Sequence, residues 1–272
     1  MSAANSEPVI SFDDVHLGFD EGDVLRGLSF QVVPRETRVL VGETGSGKSL
    51  TLKLAAGLMQ PSEGHVSVLG RDLGSMTESE LLAFRRQIGF VFQEGALFDS
   101  MSVADNVAYR LNEDHVDADE IEDRVREVLR FVELEEAYDK LPDELSGGMR
   151  RRVAIARALV SKPPIVLYDS PTAGLDPVTS QTIITLIMRL RDLQGVTSLL
   201  VTHRLQDAFG LANYRFDAAQ NRVVHAPAPA DASRNGRPAT NFVVIRDGVS
   251  YFQGGPQAML DSGDAYLKKF LV

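Results

Sequence analysis

One octapeptide restricts what this chain can fold into more than any other feature. Gly42-Glu43-Thr44-Gly45-Ser46-Gly47-Lys48-Ser49 has the spacing G-x-x-x-x-G-K-[ST]. It follows an apolar run, Arg38 to Val41, that reads as a strand, and it opens a helical pattern from Lys48 to Leu58. Strand, glycine-rich loop and helix in that order make a phosphate-binding loop. Glycines let backbone N–H groups converge on phosphate oxygens that side chains would block. The helix N-terminus adds favourable positive potential. In such a loop Lys48 sits by the β- and γ-phosphates, Ser49 ligates Mg²⁺, and Leu50 begins the helix against the same ligand. Taken without its context, the octapeptide also reads as a glycine turn with no ligand.

A second element has the right form. Ile165-Val166-Leu167-Tyr168-Asp169 is an apolar strand ending in a carboxylate. A phosphate-loop protein needs an acid there to hold Mg²⁺ or its waters. By itself such an Asp merely caps or turns. Beside a phosphate loop it points to the metal.

Composition sets the frame. With 272 residues, 44% of them hydrophobic and 24% charged, the chain has material for one large domain or two small ones with a real core. Disordered, collagen-like and disulfide-scaffold classes fit poorly. The formal net charge of −10 argues against nucleic acid or an anionic membrane surface as a general partner. The absence of cysteine excludes disulfides and thiolate metal sites. No apolar run approaches the roughly 20 residues of a membrane span, and the start, MSAANSEPVISF, has no basic or apolar signal region. The expectation is a soluble, cytoplasmic chain.

The remaining pattern predicts an antiparallel sheet from Val9 to Val41 with a hairpin turn at Asp20 to Asp23, and a strand at Val66 to Gly70. Thr77 to Gln87 reads as a helix, with Thr77 and Glu80 spaced as a capping box. Helical patterning runs from about Glu94 to Arg157. Within it, residues 113–123 hold seven acids and no Lys or Arg, which suits a solvated helix face or loop. A helix from Pro177 to Leu193 and a strand from Thr197 to Thr202 follow. Residues 226–240 read as a surface loop, Phe242 to Phe252 as a hairpin, and the end as a short helix.

Leu145-Ser146-Gly147-Gly148-Met149, joined to the two phosphate elements, resembles the signature of ATP-binding-cassette (ABC) ATPases. Other elements of that family fall in order. Gln93 resembles the Q-loop glutamine, Ala173 to Asp176 the D-loop, and His203 the switch histidine. Phe19 resembles the aromatic residue that stacks on adenine, with plain hydrophobic packing as its alternative. The resemblance covers roughly Val9 to Gly254. It implies an α/β P-loop NTPase cassette with a mixed RecA-like core, an antiparallel β subdomain and a helical signature subdomain. The expected boundaries are one domain over 8–272, a nested helical subdomain at about 94–160, an inserted loop at 216–241 and a C-terminal helix at 255–272.

The resemblance also implies ATP and Mg²⁺ as cofactors, with Ser49, Gln93 and Asp169 toward the metal. A second cassette pairs head to tail, so that Ser146, Gly147, Gly148 and Asp176 reach its nucleotide, and an integral membrane permease receives the work. Phe92 to Ser100 (FQEGALFDS), Leu145 to Arg152 (LSGGMRRR), and Tyr168 with Pro171 to Pro177 further resemble the ATPases of MCE-type, or Mla-type, lipid transporters. That narrower likeness implies phospholipid or other hydrophobic cargo, an MCE-domain lipid-binding partner, no nucleic acid, and a place on the cytoplasmic face of the inner membrane. A non-transport ABC ATPase and a regulatory cassette with little hydrolysis are the competing functions.

One departure bears on the chemistry. The family places Glu directly after the strand-terminal Asp, and this chain has Ser170. A serine hydroxyl is a poor proton acceptor near neutral pH. Three explanations are open: a natural Ser170 with His203 and the backbone supporting slower hydrolysis, a cassette that pairs with a different one, or a substitution that traps ATP. Glu94 is the candidate substitute carboxylate by position. Arg150-Arg151-Arg152 is read as a helix surface in preference to a nucleic-acid patch.

Overall fold

The computed structural model describes residues 7–20, 22–226 and 239–268. Two sheets organise them. Strands β1 (Ile10–Phe19), β2 (Gly22–Val32), β4 (Glu63–Val68) and β5 (Arg71–Asp72) form an antiparallel sheet in the order β2-β1-β4-β5. Phe12 pairs with Phe30 across β1 and β2, and their rings stack at 4.7 Å between centroids.

The second sheet has six strands in the order β12-β11-β3-β8-β7-β6. They are β3 (Thr37–Gly42), β6 (Ile88–Val91), β7 (Ile165–Asp169), β8 (Thr197–Val201), β11 (Thr240–Arg246) and β12 (Val249–Gly254). All neighbours are parallel except β11 with the edge strand β12. Both faces of the sheet are covered, which is why β3, β7 and β8 read as continuous apolar runs. Along β3, Leu40 packs toward the antiparallel sheet with Leu52 and Leu167, while Val39 and Val41 pack toward the opposite layer with Val166 and Tyr168.

The helices are α1 (Lys48–Ala55), α2 (Glu78–Arg85), α3 (Val103–Glu113), α4 (Ala118–Phe131), α5 (Gly147–Leu159), α6 (Pro177–Arg189), α7 (Leu205–Asn213), α8 (Pro256–Asp261) and α9 (Ala265–Lys268). The capping box is formed: Thr77 N–H donates to the Glu80 carboxylate at 2.7 Å, and Glu80 N–H returns to the Thr77 hydroxyl at 3.4 Å. The acidic run starts α4. Asp117 caps it, Glu120 and Glu122 pair with Arg124 and Arg126 at i,i+4, and Val125, Val128 and Leu129 turn inward.

The structure differs from the sequence reading in several places. The stretch 94–160 is three helices that begin only at Val103 and are broken at 114–117 and 132–146, where His115 and Glu133 take positive φ and Pro142 opens a 3-10 turn. The expected insertion 216–241 starts inside an ordered hairpin, β9 (Tyr214–Asp217) with β10 (Arg222–His225). Its root is bolted to the core by Arg191, which donates to the Tyr214 and Leu211 carbonyls and to the Thr240 hydroxyl, and by Asp192, which accepts from Phe216 N–H at 2.7 Å. The insertion also ends too late: Thr240 and Asn241 belong to β11, where Thr240 pairs with Thr37. Residues 227–238 of the expected loop lie outside the described residues. The Phe242 to Phe252 hairpin exists, but its first strand is also an interior strand of the parallel sheet. In place of one C-terminal helix over 255–272 there are two short ones, with 269–272 outside the described residues. No helix among the described residues is long and apolar enough to cross a membrane.

Candidate functional site

The phosphate loop joins β3 to α1. Gly47 is the N-cap of α1 with φ of 92°, a left-handed conformation that favours glycine. A Cβ there would also stand 2.5 Å from the Leu25 side chain on β2. The loop is therefore wedged between the two sheets. Lys48 is buried and turned back on its own loop: Nζ donates to the Gly42 carbonyl at 2.9 Å, the Glu43 carbonyl at 2.6 Å and the Ser46 hydroxyl at 3.1 Å. Burial lowers its pKa, and the Asp169 charge works against that shift. Glu43, Thr44 and Gly45 form the exposed crest. A groove of ≈ 450 Å³ runs beside it, lined by Val24, Glu43, Thr44, Ser46, Arg246 and Tyr266 among others.

The parallel sheet brings β7 and β8 alongside. Ser49 Oγ donates to Asp169 Oδ1 at 3.2 Å, and Ser170 Oγ donates to the same oxygen at 3.3 Å. A hydroxyl and a carboxylate meeting at one point form a hard-oxygen donor set that suits Mg²⁺ completed by phosphate oxygens and water. Ser170 is buried, with φ of 47°, and its N–H donates to the Val201 carbonyl. His203 follows β8 in an exposed position. Its pKa is lowered by burial first and by Lys48 next, with Asp169 opposing. Phe19 ends β1 opposite Gly22 and is half exposed.

Gln93 and Glu94 lie exposed just past β6. Glu94 sits close enough to Arg151 for its charge to oppose the lowering of that guanidinium's pKa by burial. Ser146 caps α5 by accepting from Met149 N–H at 3.2 Å, so Gly147 and Gly148 open the helix. A Cβ on Gly148 would meet Thr179 Cγ2 at 2.3 Å, which explains the glycine there by close packing of α5 on α6. Asp176, expected to face nucleotide, is the N-cap of α6: it accepts from Val178 and Thr179 N–H and from the Thr179 hydroxyl. The Thr179 hydroxyl is the main reason its carboxyl is held below the ordinary value.

The arginine triplet is only in part the helix surface expected for it: Arg150 is exposed and Arg152 half-buried, but Arg151 is buried. Arg150 donates to the Leu145 carbonyl, Arg152 to those of Val132 and Glu133, and the buried Arg151 to those of Phe92 and Ala173. Arg157 does the same to Gly95 and Ala96. Spacing alone carried no sign of this, because a guanidinium's five donors can cap carbonyls on any neighbouring segment.

A parallel sheet whose strand ends carry a glycine loop, a buried lysine and a carboxylate in contact with the loop serine defines a P-loop nucleotide-hydrolysing protein. A family profile described as ABC transporter matches residues 25–173, over half the chain. The MlaF protein of Haemophilus influenzae, an intermembrane phospholipid transport system ATP-binding protein, is 35% identical over 212 residues, 77% of this chain and 80% of that protein. The methionine import ATP-binding protein MetN of Bifidobacterium longum is 38% identical over 214 residues, 79% of this chain, and the chain spans half of its length. Among solved structures, a dimeric post-hydrolysis state of the ATP-binding cassette MJ0796 with ADP and Pi aligns with a TM-score of 0.75 and 28% identity, over 90% of this chain and 98% of that one. The chain belongs to the ABC transporter ATP-binding family; its fold is the P-loop cassette and it is an ATP-hydrolysing enzyme.

Proposed function

We propose that this chain powers a transporter of phospholipids or other hydrophobic molecules between membranes. The observation that carries this reading is the MlaF relative, which the chain matches over four fifths of its length, whereas the methionine-import relative is matched over half. Amino-acid import is the second reading, favoured by the slightly higher identity of that relative. In either case the cassette sits at the cytoplasmic face of the inner membrane and pairs head to tail with a second copy. It meets a permease at the groove of ≈ 310 Å³ lined by Phe90, Phe92, Phe98, Tyr109, Arg110 and Arg157. Pull-down from detergent-solubilised membranes separates the two: a permease with an MCE-domain protein supports lipid transport, and an amino-acid permease overturns it.

Within the site, backbone N–H groups from Glu43 to Ser49 cradle the phosphates, and Lys48 leaves its loop carbonyls to meet the β- and γ-oxygens. Phe19 offers its exposed ring to the adenine. Ser49, Asp169 and Gln93 would hold Mg²⁺, which would supply charge neutralisation at the phosphates. Ser146, Gly147 and Gly148 present the α5 N-terminus to the nucleotide of the facing cassette. The Ser170 hydroxyl donates a hydrogen bond to Asp169, and a neutral hydroxyl has little basicity to offer an attacking water. Burial and Lys48 lower the pKa of His203, which favours the neutral ring that can accept a proton, and we take it as the acceptor in this site. Hydrolysis is accordingly slow. Ser170→Glu should raise turnover about 10²-fold or more with binding preserved; equal turnover in both forms would sink the idea.

A further inference from the structure

The cleft between the signature helix α5, the segment after β6 and the turn after β7 is bridged by one side chain. Arg151 leaves the second turn of α5 and is almost fully buried. Its Nη1 donates to the Phe92 carbonyl at 3.0 Å, next to Gln93. Its Nη2 donates to the Ala173 carbonyl at 3.3 Å, on the turn that leads to Asp176. Nε is buried without a hydrogen-bond partner in the described structure, so the guanidinium has spent its fork on these two carbonyls and left one donor unsatisfied. Such an arrangement is costly unless the geometry it enforces is needed. Arg157, two turns further along α5, grips Gly95 and Ala96 by their carbonyls at 2.8 Å. The segment Phe92–Ala96 is therefore clamped to the signature helix at both ends, and only the Arg151 end is also tied to the turn after β7.

We propose that Arg151 is a positioning residue for ATP hydrolysis, which makes Gln93, the Ala173–Asp176 turn and the start of the signature helix move as one body. A planar fork with two acceptors on different segments transmits displacement, because shifting either carbonyl by an ångström breaks a charge-assisted bond. Lysine would reach one carbonyl and leave the other. An apolar side chain of the same length would fill the space and couple neither.

The test uses the full chain and the variants Arg151→Met and Arg151→Lys. Folding is monitored by thermal unfolding, Mg-ATP binding by titration with a fluorescent nucleotide, and turnover by phosphate release, each as a ratio to the parent so that a wrong reading of Ser170 alters the parent rate and not the ratio. Arg151→Met is expected to fold and bind Mg-ATP within about twofold of the parent while kcat falls about ten- to a hundredfold, with Arg151→Lys in between. Hydrogen exchange should quicken in residues 92–96 and 172–176 together. Unchanged kcat in Arg151→Met overturns the proposal, as does exchange that quickens in one segment alone. Should Arg151→Met not fold, Arg151→Lys decides by the same two readouts.

Discussion

The hydroxyl of Ser49 donates to the carboxylate of Asp169 at 3.2 Å, across 120 residues of chain. Asp169 is the last residue of β7 and Ser49 lies in the first turn of α1, the helix that follows β3; β8 lies between the two strands. Both groups are metal ligands by chemistry, and they lie in contact before any ion is added. Asp169→Asn keeps the shape and removes the charge. In ATP titrations over a series of Mg²⁺ concentrations, the variant should need at least about tenfold more Mg²⁺, a loss of about 1.4 kcal/mol. Superimposable Mg²⁺ dependences for parent and variant would show that Asp169 holds no metal.

Gly148 is fixed by contact with Thr179 and not by backbone strain. Gly148→Ala drives a methyl into Thr179 Cγ2 and should cost about 1–3 kcal/mol of stability through overpacking. Thr179→Ser removes the clashing methyl and keeps the hydroxyl that binds Asp176. The double variant should therefore regain much of the lost melting temperature, and additive losses in the two singles would contradict the assigned contact.

His203 supplies a pH signature. Burial and the neighbouring Lys48 lower its pKa, so the native state prefers the neutral ring. Between the lowered native value and the ordinary one of about 6.5 the unfolded chain binds more protons, and stability rises with pH there. This contribution is present above the ordinary value and lost as pH falls through the native one. NMR titration should place the imidazole midpoint below that of a free histidine, and Lys48→Met should move it upward. A midpoint at or above about 6.5 in the parent would refute the assignment.

Much of the site was legible because its signals are local. The phosphate loop between its strand and helix, the β7 strand ending in Asp169 and the Thr77–Glu80 box each depend on residues within a few positions of one another, and all formed where spacing put them. Asp176 has a second role that the resemblance did not indicate, since its carboxylate caps the first turn of α6. The arginine triplet shows the limit of pattern. Three adjacent cations with a net charge of −10 around them read as surface, and Arg150 is exposed, yet Arg151 is buried and both it and Arg152 donate to carbonyls of distant segments.

The sequence by itself determined the class of chemistry: a glycine loop between a strand and a helix that suits phosphate, an acid at a strand end, a glycine-rich signature, and a serine where the family it resembles has a base. Tertiary structure decided the neighbours. Thr240 and Asn241 look like the end of a loop until β11 finds β3, two hundred residues earlier, and Arg151 looks solvated until α5 presses it against two separate turns. The division has one physical cause. Periodicity, capping and turn chemistry act over a helical turn, whereas strand order and the acceptors available to a buried guanidinium are set by packing between segments that no local pattern brings together.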